Sequence, residues 1–138
     1  MTPTDDTPDI SLVLVGVDGS DNSRRALSWA ANLAARVDAE VLAIHALGLL
    51  DQLTHDGVIE DFETRWCAAL DEIGVRNRRE LVDGPPSMTL LRTADQEPVD
   101  LIVVGSRGVG GFPELQLGST SLQVIQHAPV PVTVVPPR

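Results

Sequence analysis

Residues Val99 to His127 read VDLIVVGSRGVGGFPELQLGSTSLQVIQH, and the fold follows from this stretch. Val99 and the run Leu101 to Val104 leave no polar face, the pattern of a parallel strand buried on both sides, and Gly105 closes it. Gly105, Gly108, Gly110 and Gly111 then fall within seven positions, giving a backbone suited to close approach by a ligand. Leu117-Gly118-Ser119-Thr120-Ser121 opens a helix whose apolar positions Leu122, Ile125 and Ala128 recur at helical spacing. The unpaired N–H groups of its first turn point back toward the glycine loop. Strand, loop and helix N-terminus together make an anion site.

Around this stretch the same unit recurs. Leu12 to Val17 reads as a strand ending in Gly16-Val17-Asp18-Gly19-Ser20, with Ser20 as the N-cap of a helix over about Asn22 to Arg36. Ala26, Leu27, Ala30, Leu33, Ala34 and Val37 form its expected inward stripe, with Trp29 packing beside it. Glu40 to Leu47 is a second apolar strand, and Gly48 starts an irregular stretch. A helix is expected from about Asp56 to Ile73, on Val58, Phe62, Trp66, Ala69 or Leu70, and Ile73, with Gly74 just past its end. Val75 to Asp83 reads as a polar strand suited to a sheet edge. Gly84-Pro85-Pro86-Ser87 breaks the chain and caps a short helix, Met88 to about Asp95, burying Leu90, Leu91 and Ala94. The last strand, Val130 to Val135, is bracketed by prolines and belongs at an edge. Five strands alternating with four helices give an α/β fold with a doubly wound, five-stranded parallel sheet. Ligands of such folds bind beyond the carboxyl ends of the strands, where the winding direction reverses.

The spacing of the glycines is more specific than their number. Gly105, two residues, Gly108, nine residues, then Gly118 and Ser119 read G-x2-G-x9-G-S/T, and in this the chain resembles the universal stress protein family, whose nucleotide-binding signature this is. The resemblance extends through VLVGVDGS (13–20), ALSWAANLAARVDAEVLAIHAL (26–47), DLIVVGSRGVGGF (100–112), LGSTS (117–121) and HAPVPVTVV (127–135); residues 48 to 98 match weakly. It implies a Rossmann-like sheet of order 3-2-1-4-5, related to adenine nucleotide alpha hydrolases, with the reversal between strands one and four. It also implies ATP as ligand. By the same resemblance Asp18 contacts the nucleoside, Gly16, Val17 and Ala43 line the adenine side, and Val104 and Gly105 lie where strand four meets the pocket.

The residues themselves supply the chemistry of the phosphate end. Amides near Gly108 and Gly118, with the Ser119 and Thr120 hydroxyls, can donate to phosphate oxygens, helped by a helix-end charge of roughly +0.5. Arg107 is the one fixed cation within the motif. It reads equally as a phosphate or ribose ligand and as a solvated loop residue. The Asp18 carboxylate would repel phosphate, which places it at the opposite end of the pocket, on the ribose or base; ordering its own turn is the plainer role. Glu114, inside the loop, either opposes a triphosphate or faces water.

Composition excludes several alternatives. At 138 residues with mean hydropathy +0.07 the chain is expected to hold one domain, residues 11–138, after a disordered lead-in, 1–10. A formal net charge of −10, with every one of the ten cations an arginine, argues against nucleic acid as a partner and rules out a P-loop or Schiff-base lysine. A dinucleotide GxGxxG fails because Pro113 stands where its third glycine belongs, and no Gly-x-Ser-x-Gly is present. No apolar run approaches the roughly 18 residues of a membrane helix, the first ten residues carry no secretory signal, and Cys67 is the only cysteine, so a reducing cytoplasm is expected. His45 reads as a core residue and His127 as a helix-end cation, and His55 falls in the irregular segment; no metal-ligand spacing is present, so no metal site is expected, though Mg²⁺ would accompany ATP.

Three readings of function remain open at this point. The first is an ATP-binding regulatory module of stress response, with at most slow hydrolysis or autophosphorylation, since no general base or other catalytic residue is identifiable. A cyclic-AMP or AMP sensor suits the scarcity of cations better. The third is a dimeric adaptor with a vestigial pocket. The valine-rich edge 130–135 is expected to pair with a second copy, and the resemblance implies an antiparallel homodimer through it.

Overall fold

The computed structural model describes residues 9–48, 55–107 and 117–137. Gly108, Glu114 and most of the lead-in lie outside the described residues. Five strands, β1 (Leu12–Gly16), β2 (Glu40–Leu47), β3 (Asn77–Asp83), β4 (Leu101–Gly105) and β5 (Val132–Val135), form one parallel sheet of order β3-β2-β1-β4-β5. The expected order therefore holds, as do the bounds of β2. The reversal lies between β1 and β4, paired in register through Val13 with Leu101 and Val15 with Val103.

Strand alternation builds two cores. Val13, Val15, Val41, Ala43 and Val103 face α1 (Asp21–Val37) and a helical segment made of α2 (His55–Asp61), a π-helical turn (Phe62–Trp66) and α3 (Ala68–Ile73). Leu12, Leu14, Leu42, Ile44, Ile102 and Val104 face the other layer, formed by α4 (Pro86–Gln96) and α5 (Ser119–His127). Because both faces are covered, the central strands can be continuously apolar. Ala26, Ala30, Ala31 and Ala34 let α1 lie close on the sheet, and Ile10, from the expected lead-in, also packs against that core.

Four local expectations are corrected. Trp29 is 42% and Val37 44% exposed, because the inward face of α1 is centred on its alanines and on Leu27. On α5, Leu122 (44%) and Ile125 (43%) point outward, while Ser121 and Val124 are buried. The cause is a tether: Ser121 Oγ donates to the carbonyls of Ser106 (3.2 Å) and Gly118 (3.0 Å), which turns this polar residue inward and sets the phase of the helix. The helix after Gly84 starts at Pro86, with Pro suited to a first turn, so Ser87 is no cap. Ser87 instead donates to Gln123 Oε1 at 2.6 Å, joining α4 to α5. Finally, the helix expected over 56–73 is interrupted by its π turn, which separates the buried Phe62 and Cys67 by five positions.

The polar β3 is an edge strand, as expected. Arg78 reaches Glu40 (3.2 Å) and Glu97 (2.6 Å), and Arg79 reaches Asp71 (2.6 Å) and the Glu63 carbonyl (2.7 Å). Its arginines thus bind both helical layers.

Candidate functional site

Since β1 and β4 are adjacent and parallel, the loops after Gly16 and after Gly105 leave the sheet on the same side. Each is shaped by its own bonds.

The β1 loop is ordered from within. Asp18 Oδ1 accepts from the Ser20 amide (2.9 Å) and hydroxyl (2.6 Å), and Ser20 Oγ accepts in turn from the Ser23 amide (3.1 Å). Ser20 is the N-cap of α1, as its sequence position implies. The Asp18 amide donates to Ser23 Oγ at 3.2 Å. Asp18 therefore does order its turn, and it is half-buried in the loop that follows β1. Before it, the Val17 amide extends the ladder to the Ile44 carbonyl (2.8 Å), and the Val17 carbonyl accepts from His45 Nδ1 at 2.7 Å. A carbonyl only accepts, so Nδ1 carries the proton. His45 is a satisfied core residue, as read from sequence.

The β4 loop is held by a residue that sequence reasoning passed over. Asn22, buried in the first turn of α1, accepts at Oδ1 from the Arg107 amide (2.8 Å) and the Ser106 hydroxyl (3.3 Å), and donates from Nδ2 to the Val135 carbonyl (2.9 Å). One amide thus connects α1, the β4 loop and β5. It lies so close over Gly105 that a Cβ there would stand 2.9 Å from Asn22 Cγ and 3.2 Å from its backbone carbon. Gly105 is required by this packing. Its one sequence signal is an amide, in place of a hydrophobe, on the inward face of α1.

The far end of the loop is closed by Gly118, whose amide donates to the Ser106 carbonyl at 2.6 Å. Gly118 is also the N-cap of α5, in extended conformation and with no side chain capping the helix. The amides of the first turn, from Ser119 on, have no partner within the helix by its geometry. Ser119 is exposed and Thr120 half-buried at this end. The contrast with α1 is chemical: Ser20 caps α1 with its own side chain, whereas the N-cap of α5 is a glycine and makes no side-chain cap bond.

Gly16, Val17, Asp18, Val104, Gly105, Arg107, Gly118, Ser119 and Thr120 are thus gathered at the carboxyl ends of β1 and β4 and the N-terminus of α5. Gly108 lies outside the described residues. Ala43 is not brought with them: it is 0% exposed, in register with Val15 in mid-strand, and faces the α1 core. Gly16 is itself covered, a Cβ there standing 3.0 Å from Leu90 Cδ1. Among the described residues no cluster of three or more His, Cys, Asp or Glu side chains has the arrangement of a metal site, and no helix is long and apolar enough to cross a membrane.

Comparison with known proteins agrees with this architecture. Residues 11–136 match the family model described as the universal stress protein family. The universal stress protein YxiE of Bacillus subtilis is 32% identical over 143 residues, covering 89% of this chain and 97% of that protein. Among solved structures, a universal stress protein in complex with cAMP superposes with a TM-score of 0.79 at 26% identity, covering 94% of this chain and 99% of the other. The universal stress protein UspA of Lactobacillus plantarum gives 0.73 at 26% identity, covering 91% and 97%.

Proposed function

Because the chain belongs to the universal stress protein family, we propose that it is an adenine-nucleotide-binding regulatory module whose ligand lies between the Asp18 turn and the N-terminus of α5. The observation that carries this reading is the pairing, across adjacent strand ends, of a helix terminus without a side-chain cap and a carboxylate held by its own turn. The first end suits phosphate and the second suits ribose hydroxyls or an exocyclic amine, which accept no competition from one another.

ATP is the ligand the G-x2-G-x9-G-S/T spacing favours, with Mg²⁺ arriving on the triphosphate. A specific observation supports a second reading, cyclic AMP or AMP: a 26% identical structure is a complex with cAMP, and this lysine-free chain of net charge −10 has few cations to offset a triphosphate. Both readings are of a binding module, with at most slow hydrolysis or autophosphorylation at Ser119 or Thr120. The lone Cys67 fits a reducing cytoplasm as the working compartment.

Calorimetric titration with ATP, ADP, AMP and cyclic AMP decides among these. Micromolar binding of ATP that is lost in Asp18→Ala and Gly118→Glu supports the first reading, and tighter cyclic AMP than ATP supports the second. Ser119→Glu separates binding from folding: a carboxylate in the first turn favours the helix dipole, so the variant stays folded while it repels phosphate. The absence of heat with all four nucleotides overturns both readings and leaves the adaptor.

A further inference from the structure

The chain has only two Trp, two Phe and no Tyr, yet one Trp and one Phe meet His45 beside the Asp18 turn. The Trp66 indole lies 5.0 Å from the His45 ring, edge to face at 71°, and 6.5 Å from Phe62 at 79°. Gly19 adopts φ +84°, and a Cβ on it would stand 2.6 Å from Trp66 Cζ2 and 2.7 Å from Cε2. The six-membered ring of the indole is thus laid directly on the residue that follows Asp18. On the other side of Asp18, the Val17 carbonyl is held by His45. Both neighbours of the carboxylate are therefore fixed from one aromatic cluster.

The placement of Trp66 has a definite cause. The π turn inserts one residue between Phe62 and Cys67, so Cys67 takes the core position that uninterrupted helical spacing would give to Trp66. Trp66 is displaced from the core stripe and left half-buried against Gly19. Such single-turn insertions concentrate at functional sites.

We propose that Trp66 is the wall of the nucleoside end of the cleft, contacting the base of the bound nucleotide beside Asp18 and making the site selective for ligands that carry an aromatic base. The proposal rests on the nucleotide-binding reading above. An aromatic wall at that end supplies the affinity that few cations supply at the phosphate end, because every base presents a π face.

The test uses the intact chain. In Trp29→Phe, a substitution at an exposed position of α1, Trp66 is the only tryptophan, so its emission reports on this site alone. ATP and adenosine should quench or shift that emission, and inorganic tripolyphosphate should leave it unchanged. Trp66→Leu should weaken ATP binding by about tenfold in calorimetry, and Trp66→Phe should restore most of it. A purely structural indole would not produce the base-dependent emission change. If ATP binds with measurable heat while Trp66 emission stays constant and Trp66→Leu binds ATP as wild type does, this proposal fails and the nucleotide reading stands. If no nucleotide binds the wild-type chain, both fall together.

Discussion

At the scale of single residues, the site depends most on Asn22. Removing its amide takes the Asn22 acceptor from the Arg107 amide and the Ser106 hydroxyl and one of two donors from the Val135 carbonyl, which keeps the Ser106 amide at 3.0 Å; a buried group that loses its partner costs about 1–3 kcal/mol. Asn22→Leu should therefore lower stability by about 2–4 kcal/mol in urea unfolding, and Asn22→Asp, which cannot donate to Val135, should lose part of the same amount. Gly105→Ala attacks the same contact from the other side, since its methyl group meets the α1 backbone as well as the Asn22 side chain. Overpacking of this kind costs about 1–3 kcal/mol, and nucleotide affinity should fall with it as the β4 loop shifts. These residues also mark what a sequence discloses. Ser20 and Gly118 could be read in advance because capping is local. Asn22 could not, because its partners lie 85 and 113 positions away and nothing near it in the chain demands an amide. Ala43 is the converse case: the resemblance assigns it to the adenine side, while strand alternation gives its side chain to the α1 core.

At the scale of elements, periodicity located all five strands and the helices, and it failed where a tether or an insertion changed the phase. On α5 the stripe of Leu122 and Ile125 looked inward by spacing, yet the bonds of Ser121 and Gly118 to Ser106 fix the rotation that buries Val124. Val124→Ala should cost about 2 kcal/mol in the same assay. Along 55–73 the π turn changed the phase, which sent Cys67 into the core. Burial pushes its thiol up to about 11 from 9.0, against the smaller opposing pull of Arg79. A raised thiol pKa in the folded state means that the native chain keeps its proton while the unfolded chain loses it. Cys67 thus leaves stability untouched below pH 9.0 and subtracts from it progressively as pH rises toward 11. Alkylation near neutral pH should be slow and should accelerate only at denaturant concentrations that unfold the protein. Cys67→Ala should flatten the alkaline fall in stability.

At the scale of the whole molecule, the sheet has two edges that are treated differently. β3 is guarded: Arg78 and Arg79 lie along it in ion pairs with Glu40, Glu97 and Asp71, and charge at an edge discourages pairing with another strand. β5 carries no charge within Val132–Val135, its valines at 132 and 134 are only partly buried, and the exposed Leu122 and Ile125 belong to the helix that packs on the same core. An open strand and an apolar helix face on one side of the molecule suit a second copy related by a two-fold axis. The proposed homodimer through β5 should therefore appear as a doubled mass in light scattering at micromolar concentration. Leu122→Glu combined with Ile125→Glu should yield a folded monomer, because both residues are exposed within the single chain, while Arg78→Gln should leave the mass unchanged. Two copies of net charge −10 repel, so added salt should tighten the dimer, the reverse of an interface built on ion pairs. A wild-type monomer at these concentrations would remove the dimer.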